Sequence, residues 1–429
     1  MGDILAGYGL GDRDYRRIVA ALFLAGLATF AQLYSVQPLM PALADEFEVS
    51  ATHSTFTLSA STATLGVALL VFGPLSEVLG RTRLIHFSLF SSALVALGAA
   101  MAPDWSALLI LRGLGGVAVA GLPAAGMAYL REEVHEQVHA RAAGIYIAGA
   151  ALGGMTGRLL SGVMADIGGW RLALGSVAVV GLFSAACVLL LLPQSRNFSG
   201  TPPHLGRLFM ATRRLLRDPV QLALYGIAAT FMGAFVAVYN AMSFRLVGPP
   251  YELSLATAGL VFLVYPVGAL SSTYAGSLAS KMGRRAVLPT ACLVTLAGLL
   301  VTIAQPLVLV VVGLAVMTAG FFAAHSVASG WATTRAHVGG GGTGQAASLY
   351  MFAYYLGSSV FGSMAGIAWS CGDWPAVVLF AGALILVGLA LALLLRRIRS
   401  LVNRTEDAPG TVSAERPDPC QETNRENAE

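Results

Sequence analysis

Long apolar runs separated by short polar segments dominate the sequence. A helix needs roughly 20 apolar residues to cross a bilayer. Within each run the apolar positions are continuous and do not alternate, which predicts helices and disfavours the strands of a membrane barrel. We therefore expect an all-α integral membrane protein with twelve transmembrane helices, numbered here as spans 1 to 12. The twelve runs are 18–40, 55–75, 84–102, 106–130, 142–165, 172–192, 219–246, 257–278, 286–304, 307–330, 347–369 and 376–395.

Composition excludes a soluble globular protein. The chain has 429 residues, of which 56% are hydrophobic and 11% are charged, whereas a soluble domain carries about 25% charged residues. The 49 glycines suit close contact between helices in lipid. The four cysteines show neither metal-ligand spacing nor a disulfide framework. We expect no metal and no cofactor.

Basic residues predict how the chain lies in the membrane. Most of the 26 Lys and Arg residues fall in the N-terminal arm, in the loops that follow even-numbered spans, and in the C-terminal tail. Basic loops stay in the cytoplasm. The sequence therefore predicts that the N-terminus and the C-terminus are both cytoplasmic (N-in, C-in).

The chain contains an internal repeat. The segment "GPLSEVLGRTR" at 73–83 recurs as "GSLASKMGRR" at 276–285, and "AAGIYIAGAALGG" at 142–154 recurs as "AASLYMFAYYLGS" at 346–358. Six spans per half give a parallel repeat about an axis along the membrane normal. We expect an arm (1–17), an N-terminal half (18–193), a linker with a basic amphipathic helix (194–218), a C-terminal half (219–395) and a disordered tail (396–429).

These motifs resemble those of the major facilitator superfamily. Gly73, Gly80 and Arg81 match its motif between spans 2 and 3, although Glu77 replaces the usual Asp. "LLILRGLGG" at 108–116 resembles its span-4 motif with Arg112 as the arginine, and "GAALGGMTG" at 149–157 resembles a span-5 motif linked to antiporters but lacks its proline. Other segments, such as "GFFAAHSVASGW", resemble the bacterial acriflavine-sensitivity group of predicted arabinose or drug efflux permeases. The resemblance implies a secondary transporter with alternating access, whose cavity is lined by spans 1, 4, 7 and 10.

The repeated glycine–arginine loops are candidates for a cytoplasmic gate whose ion pairs form in one state and break in another. The alternative is that they only anchor tight turns on the cytoplasmic side. The second copy has Ser280 at the position of Glu77, so we expect an asymmetric gate centred on the N-terminal half. The candidate gate residues are Gly73, Glu77, Gly80, Arg81, Gly276, Gly283 and Arg284.

Charged residues inside spans are costly and usually mark a pathway. No Asp or Glu falls near the middle of a span, but His325 lies inside span 10. A histidine titrates near neutral pH, so His325 is the candidate proton carrier; alternatively it is a neutral side chain bonded to the facing half. Arg112 and Arg158 are candidates for binding an anionic or polar solute group, and Arg112 is also the candidate partner that shifts the proton affinity of His325. They could instead be structural, bonded to carbonyl groups or to an acid at a span end such as Asp166.

Polar residues that carry no full charge concentrate on spans 1, 7, 10 and 11. The candidate proton and solute residues are His325, Arg112, Arg158, Gln37, Tyr34, Asn240 and Tyr354. The alternatives are that the tyrosines serve packing or lie at the membrane interface and that Gln37-Pro38 marks a helix kink. The candidate span-5 glycine residues are Gly149, Gly153, Gly154 and Gly157.

We therefore expect a monomeric multi-pass transporter of the bacterial inner membrane. It would export a small drug-like or sugar-like solute in exchange for protons, with the bilayer as its environment and no nucleic-acid partner. The main alternative is proton symport uptake of a neutral or anionic metabolite. A channel or scramblase on the same fold remains open, whereas a membrane enzyme is disfavoured because the seven histidines are dispersed.

Overall fold

The computed structural model describes residues 7–198, 200 and 205–398, and within these ranges the chain is helical and contains no β-strand. One isolated bridge joins Tyr8 to Val134. The helices are α1 (Arg13–Tyr34), α2 (Met40–Glu46), α3 (Ala51–Leu79), α4 (Arg81–Ala100), α5 (Trp105–Val119), α6 (Gly121–Glu133), α7 (Glu136–Leu191), α8 (Leu205–Leu215), α9 (Pro219–Val247), α10 (Leu255–Gly259), α11 (Tyr265–Met282), α12 (Arg284–Val301), α13 (Leu307–Val338) and α14 (Thr343–Arg397). Two 3-10 turns, Gln37–Leu39 and Leu260–Val264, connect α1 to α2 and α10 to α11.

Short polar side chains begin several of these helices. Ser50 accepts a hydrogen bond from the backbone N–H of His53, and Asp104 accepts one from Ala107. Such caps satisfy N–H groups that lack a partner in the first helical turn. These caps allow α3 and α5 to begin directly after a short turn.

Ten described helical segments are long and apolar enough to cross a membrane. Two of them, α7 with 56 residues and α14 with 55, contain non-helical residues at Gly168–Gly169 and at Gly372–Asp373. These positions lie between predicted spans 5 and 6 and between spans 11 and 12. The all-helical architecture is confirmed for the described residues, whereas the count of twelve crossings and the orientation stay predictions.

The outer surface of the bundle is apolar. Leu190, Leu270 and Leu379 are each about three-quarters exposed. A large apolar surface of this kind is stable when lipid surrounds it. The packing therefore agrees with the hydropathy of the sequence.

The two halves use the same close helix contact. A β-carbon at Gly153 in α7 would lie 2.2 Å from the carbonyl oxygen of Leu27 in α1, and one at Gly357 in α14 would lie 2.0 Å from that of Ala229 in α9. Only glycine allows two backbones to approach so closely. The sequence match between 142–154 and 346–358 thus corresponds to a repeated contact between helices.

The bundle has two distinct ends. We call basic end the one that carries the loops 80–83, 131–141, 281–285 and 335–345, and distal end the one that carries the loops 47–50, 101–104, 166–171, 248–254 and 302–306. At the distal end the halves touch, and the Ser363 hydroxyl donates a hydrogen bond of 2.6 Å to the Ser59 hydroxyl. At the basic end a cavity of about 630 Å³ has lining residues from both halves, including Glu77, Arg81 and Met351.

Candidate functional site

His325 on α13 lies in a group of aromatic side chains. Its ring stacks on Phe321 at 6.2 Å and 11° and lies 4.8 Å from the ring of Tyr354. The Tyr350 hydroxyl is 3.2 Å from His325 Nδ1. The predicted pair His325 and Tyr354 is therefore in contact, and Tyr350 is a further partner that the predicted set of site residues does not include.

The aromatic group continues across the C-terminal half. Phe235 on α9 stacks on Phe321 at 4.1 Å, and Tyr239 lies 5.4 Å from Phe262. We call aromatic cluster the set of rings connected in this way. It consists of Phe235, Tyr239, Phe262, Tyr265, Phe321, Phe322, His325, Tyr350, Tyr354 and Tyr355.

Arg158 on α7 joins the N-terminal half to this aromatic cluster. Its guanidinium carbon lies 4.3 Å from the centre of the Tyr34 ring and 4.8 Å from the centres of both Phe262 and Tyr265. The side chain is 2% exposed. Three aromatic faces therefore surround one buried cation.

Gln37 extends this contact to α9. Arg158 Nε donates to Gln37 Oε1 at 2.7 Å, and Gln37 Nε2 donates to Asn240 Oδ1 at 2.7 Å. Asn240 in turn donates to the Gly362 carbonyl at 3.2 Å. The predicted residues Arg158, Gln37 and Asn240 thus form one hydrogen-bonded chain between the halves, with Tyr34 beside it.

Arg112 has a different environment. Its Nε, Nη1 and Nη2 donate to the backbone carbonyls of Thr57, Gln32 and Leu33 at 2.9, 3.1 and 2.7 Å. In the described part of the chain no contact joins Arg112 to His325. These carbonyl groups satisfy the arginine and tie α1 and α3 to α5, as the structural alternative describes, and a role of Arg112 in solute binding or coupling stays a prediction.

The span-5 glycine residues serve close packing. Gly149, Gly153 and Gly157 face α1, and β-carbons there would lie 2.4, 2.2 and 2.5 Å from backbone atoms of Phe23, Leu27 and Ala31, respectively. Gly154 faces another side, and its carbonyl accepts a 2.6 Å hydrogen bond from Arg158 Nη1. The motif thus brings α7 onto α1 and helps to position Arg158.

The two glycine–arginine loops at the basic end share a backbone conformation. Gly80 has φ 92° and Gly283 has φ 85°, values that side chains other than glycine rarely adopt. A β-carbon at Gly73 would lie 3.9 Å from Ser348 Oγ of the C-terminal half, whereas no neighbour lies within 4 Å of a β-carbon at Gly276. The two halves therefore share the backbone conformation of these turns but differ in the side chains that pack around them.

The predicted acid of the first loop is not the partner of Arg81. Arg81 forms an ion pair of 2.9 Å with Glu132 at the end of α6 and also hydrogen-bonds Ser76. Glu77 is exposed and lines the cavity. In the second loop Arg284 donates to the hydroxyl of Thr334 at 3.0 Å. Arg81 thus has an acid as its partner and Arg284 a hydroxyl group, whereas the asymmetric gate itself stays a prediction.

Asp166 has a role that sequence reasoning missed. Its carboxylate accepts hydrogen bonds from the backbone N–H groups of Leu255 and Ala256 at 3.1 and 3.0 Å, at the start of α10 in the other half. It is therefore not the acid that pairs with Arg158. The sequence did carry one sign of this role. Asp166 comes just before Gly168–Gly169, at the end of a predicted span, where a carboxylate can reach the start of a neighbouring helix.

Possible metal ligands do not cluster in the described ranges. No group of three or more His, Cys, Asp or Glu residues there could hold a metal ion. The chemistry that these side chains offer consists of hydrogen bonding, aromatic contact, positive charge and the imidazole of His325.

Comparison with known proteins identifies relatives across most of the chain. Residues 22–265 match the model of the Major Facilitator Superfamily. The chain is 40% identical over 383 residues to the uncharacterized MFS-type transporter YybF of Bacillus subtilis (strain 168), covering 89% of this chain and 94% of that one. It is 40% identical over 387 residues to the inner membrane transport protein YnfM of Escherichia coli (strain K12), covering 90% and 92%.

A solved structure has the same fold. The inward-facing, unoccupied form of a bacterial homolog of the human lysosomal transporter Spinster superposes with a TM-score of 0.71 at 16% sequence identity. The match covers 90% of this chain and 96% of that one.

Proposed function

Because the chain belongs to the major facilitator superfamily, a family of membrane transporters of solutes, we propose that it exports a small organic, drug-like or sugar-like solute in exchange for protons. The observation that carries the proposal is the arrangement of the halves. They touch through Ser59 and Ser363 near the distal end, and a cavity of about 630 Å³ lies at the basic end. Alternating access requires such a one-sided opening.

The proposed topology has twelve crossings, with both termini in the cytoplasm. Counting α7 and α14 as two crossings each adds two to the ten apolar segments. The basic end then faces the cytoplasm, as the positive-inside rule expects. In this arrangement the protein is a monomer of the bacterial inner membrane with its cavity open to the cytoplasm.

The proposed solute site lies between the halves, where the aromatic cluster meets Tyr34 and Arg158. Ligand sites are mostly apolar with a few placed polar groups. Tyr354 and His325 are half-buried, so their rings offer a surface to a solute. Gln37 and Asn240 supply hydrogen-bonding groups beside Arg158.

The proposed proton carrier is His325. An imidazole in water titrates in the physiological range, and the described acids lie in loops, near helix ends or near the turns inside α7 and α14. The Tyr350 hydroxyl beside Nδ1 can accept or donate a hydrogen bond as the ring changes protonation. Arg112 would act on the site only through the packing of α1, α3 and α5.

The proposed gate lies at the basic end. The Arg81–Glu132 ion pair and Gly73 border the cavity, Glu77 is exposed beside them, and Gly80 forms the turn just before Arg81. The second loop, with Gly276, Gly283 and Arg284, carries no acid partner within the described residues. Closing the cavity would therefore rearrange mainly the N-terminal loop.

Flux in proteoliposomes tests the proposal. Purified protein should give saturable solute uptake and counterflow, and an imposed pH step should drive net flux. A pore would show no counterflow, and net flux parallel to the proton gradient would favour symport uptake. His325→Ala should abolish pH-driven flux but leave solute exchange, whereas His53→Ala, which changes an exposed histidine at the start of α3, should leave both. Unchanged pH-driven flux in His325→Ala rules out the proton role.

A further inference from the structure

We propose that Arg158 is the counter-charge for an anionic group of the solute, so that the transported compounds are organic anions with an aromatic or apolar body. This inference rests on the proposed function, because it concerns the same site, and it applies to either direction of transport.

Arg158 has neutral partners. Its hydrogen-bond acceptors are the Gln37 side-chain amide and the Gly154 carbonyl. The five ion pairs among the described residues involve other arginines. A buried charge without an opposite charge costs several kcal/mol by order of magnitude. A ligand that supplies the missing negative charge removes this cost.

The interior of the bundle is electropositive. The acids in the described ranges lie in loops or within a few residues of a helix end or turn. Arg112 is a second interior cation, and it is 6% exposed. Two cations without an interior acid attract anions and repel cations, and the effect is strong in a medium of low dielectric constant.

Arg158 differs from the other buried arginines because its partners come from both halves. Arg112 bonds to carbonyl groups of the N-terminal half. Arg245 bonds to the carbonyls of Thr302 and Ala304 and lies over Trp374, all in the C-terminal half. Both keep their partners when the halves rotate as rigid bodies.

Opening the distal end removes part of the environment of Arg158. Phe262 and Tyr265 belong to the C-terminal half and would move away from it. The Gln37–Asn240 hydrogen bond also crosses the halves and would break. Arg158 would then face water with Tyr34 and Gln37 as partners, and it could accept a carboxylate, sulfonate or phosphate in a two-point hydrogen bond.

The rings beside Arg158 determine the rest of the solute. Tyr34, Phe262 and Tyr265 approach the guanidinium face within 5 Å. After opening, these faces are free to contact an apolar or aromatic body attached to the anionic group. The site therefore suits an aryl or alkyl anion better than a small inorganic ion.

Ligand binding to the purified protein tests the charge. Three aromatic anions serve as test ligands: 2-naphthalenesulfonate, phenyl phosphate and 3-phenylpropionate. The neutral control of similar shape is 2-naphthylmethanol, and the cationic control is (2-naphthylmethyl)trimethylammonium. We expect at least one anion to raise the melting temperature in a saturable way and to bind at least about tenfold more tightly than the neutral and cationic compounds. Failure of all three anions, or stronger binding of the cation, overturns the inference.

Variants assign the binding to Arg158. Arg158→Gln should weaken the anion at least about tenfold, and Arg158→Lys should retain part of the affinity because it keeps the charge but loses the two-point contact. Arg245→Gln is the matched control, because it removes another buried, ring-stacked arginine outside the interface between the halves. Each shift is measured against the same variant without ligand. Equal anion affinity in Arg158→Gln and the wild type overturns the inference.

A reversible lock tests the dependence on opening. The Ser59 and Ser363 hydroxyl oxygens are 2.6 Å apart, so cysteines at both positions in a cysteine-free background can form a disulfide bond. Oxidation should reduce anion affinity about tenfold or more, because it keeps Phe262 and Tyr265 packed over Arg158. Reduction should restore the affinity. Unchanged affinity in the oxidised protein shows that opening does not expose Arg158 and overturns that part of the inference.

These outcomes are separable from failure of the transport proposal. Anion binding without counterflow in proteoliposomes would support the Arg158 site and contradict the transport proposal. Counterflow of neutral or cationic solutes without anion binding would support transport and contradict the Arg158 site.

Discussion

The close contact of α7 with α1 predicts a loss of stability in Gly153→Ala, and the magnitude of this loss follows from the structure. In Gly153→Ala the new β-carbon would lie 2.2 Å from the Leu27 carbonyl oxygen and 2.6 Å from its α-carbon. An ordinary contact of about 3.4 Å requires the two backbones to move apart by about 1.2 Å. Since both contacted atoms belong to a helix backbone, no side-chain rotation can relieve the clash.

The energetic balance is unfavourable. Overpacking costs about 1–3 kcal/mol, and the rigid contact places this variant in the upper part of that range. Alanine gains about 1 kcal/mol over glycine from helix propensity. We therefore expect Gly153→Ala to lose about 1–2 kcal/mol in net stability.

Thermal unfolding of the purified protein measures this loss. Gly144→Ala is the matched control, because it lies on the same helix with no neighbour within 4 Å of its β-carbon, and it should be neutral or stabilising. Gly357→Ala, whose β-carbon would lie 2.0 Å from the Ala229 carbonyl oxygen, should lose at least as much as Gly153→Ala. If Gly153→Ala melts at the temperature of Gly144→Ala, the account of this helix contact is wrong.

Two further predictions concern the ends of the bundle. Arg81→Glu or Glu132→Arg alone should lose about 1–3 kcal/mol in stability, and the double exchange should recover part of it; two additive losses would show that the pair contributes nothing. Asp166→Asn should weaken distal closure by about 0.3–1 kcal/mol, because the carboxylate no longer faces the start of α10. A cysteine at Leu246, which is 2% exposed, should then react faster with an impermeant maleimide in a cysteine-free background, and an unchanged rate would contradict this role.

The fold was largely predictable because lipid imposes a simple rule on sequence. A helix that crosses hydrocarbon must present apolar side chains over its whole length, so the runs in the sequence correspond to helices in the structure. The repeat was predictable from glycine, since Gly80 and Gly283 have the same left-handed backbone and neither position accommodates another residue easily.

The pairing of polar groups was less predictable. Arg81 and Glu132 are 51 positions apart, and hydropathy does not indicate which helix ends become neighbours. Arg112 is satisfied by backbone carbonyls, which every residue carries, so no side-chain pattern could reveal it. Gln37, Arg158 and Asn240 could be singled out one by one as polar residues in apolar runs, but their hydrogen bonds to one another and the aromatic faces around the cation required the packed structure.

The two glycine–arginine loops should respond differently to ionic strength. Arg81 is held by a carboxylate at 2.9 Å, whereas Arg284 is held by a neutral hydroxyl at 3.0 Å. Mobile ions screen attraction between charges and affect a hydrogen bond to a hydroxyl much less. As salt concentration rises, the turn between α3 and α4 should therefore become more mobile before its counterpart between α11 and α12. Duplicated sequence then yields one salt-sensitive turn and one salt-tolerant turn.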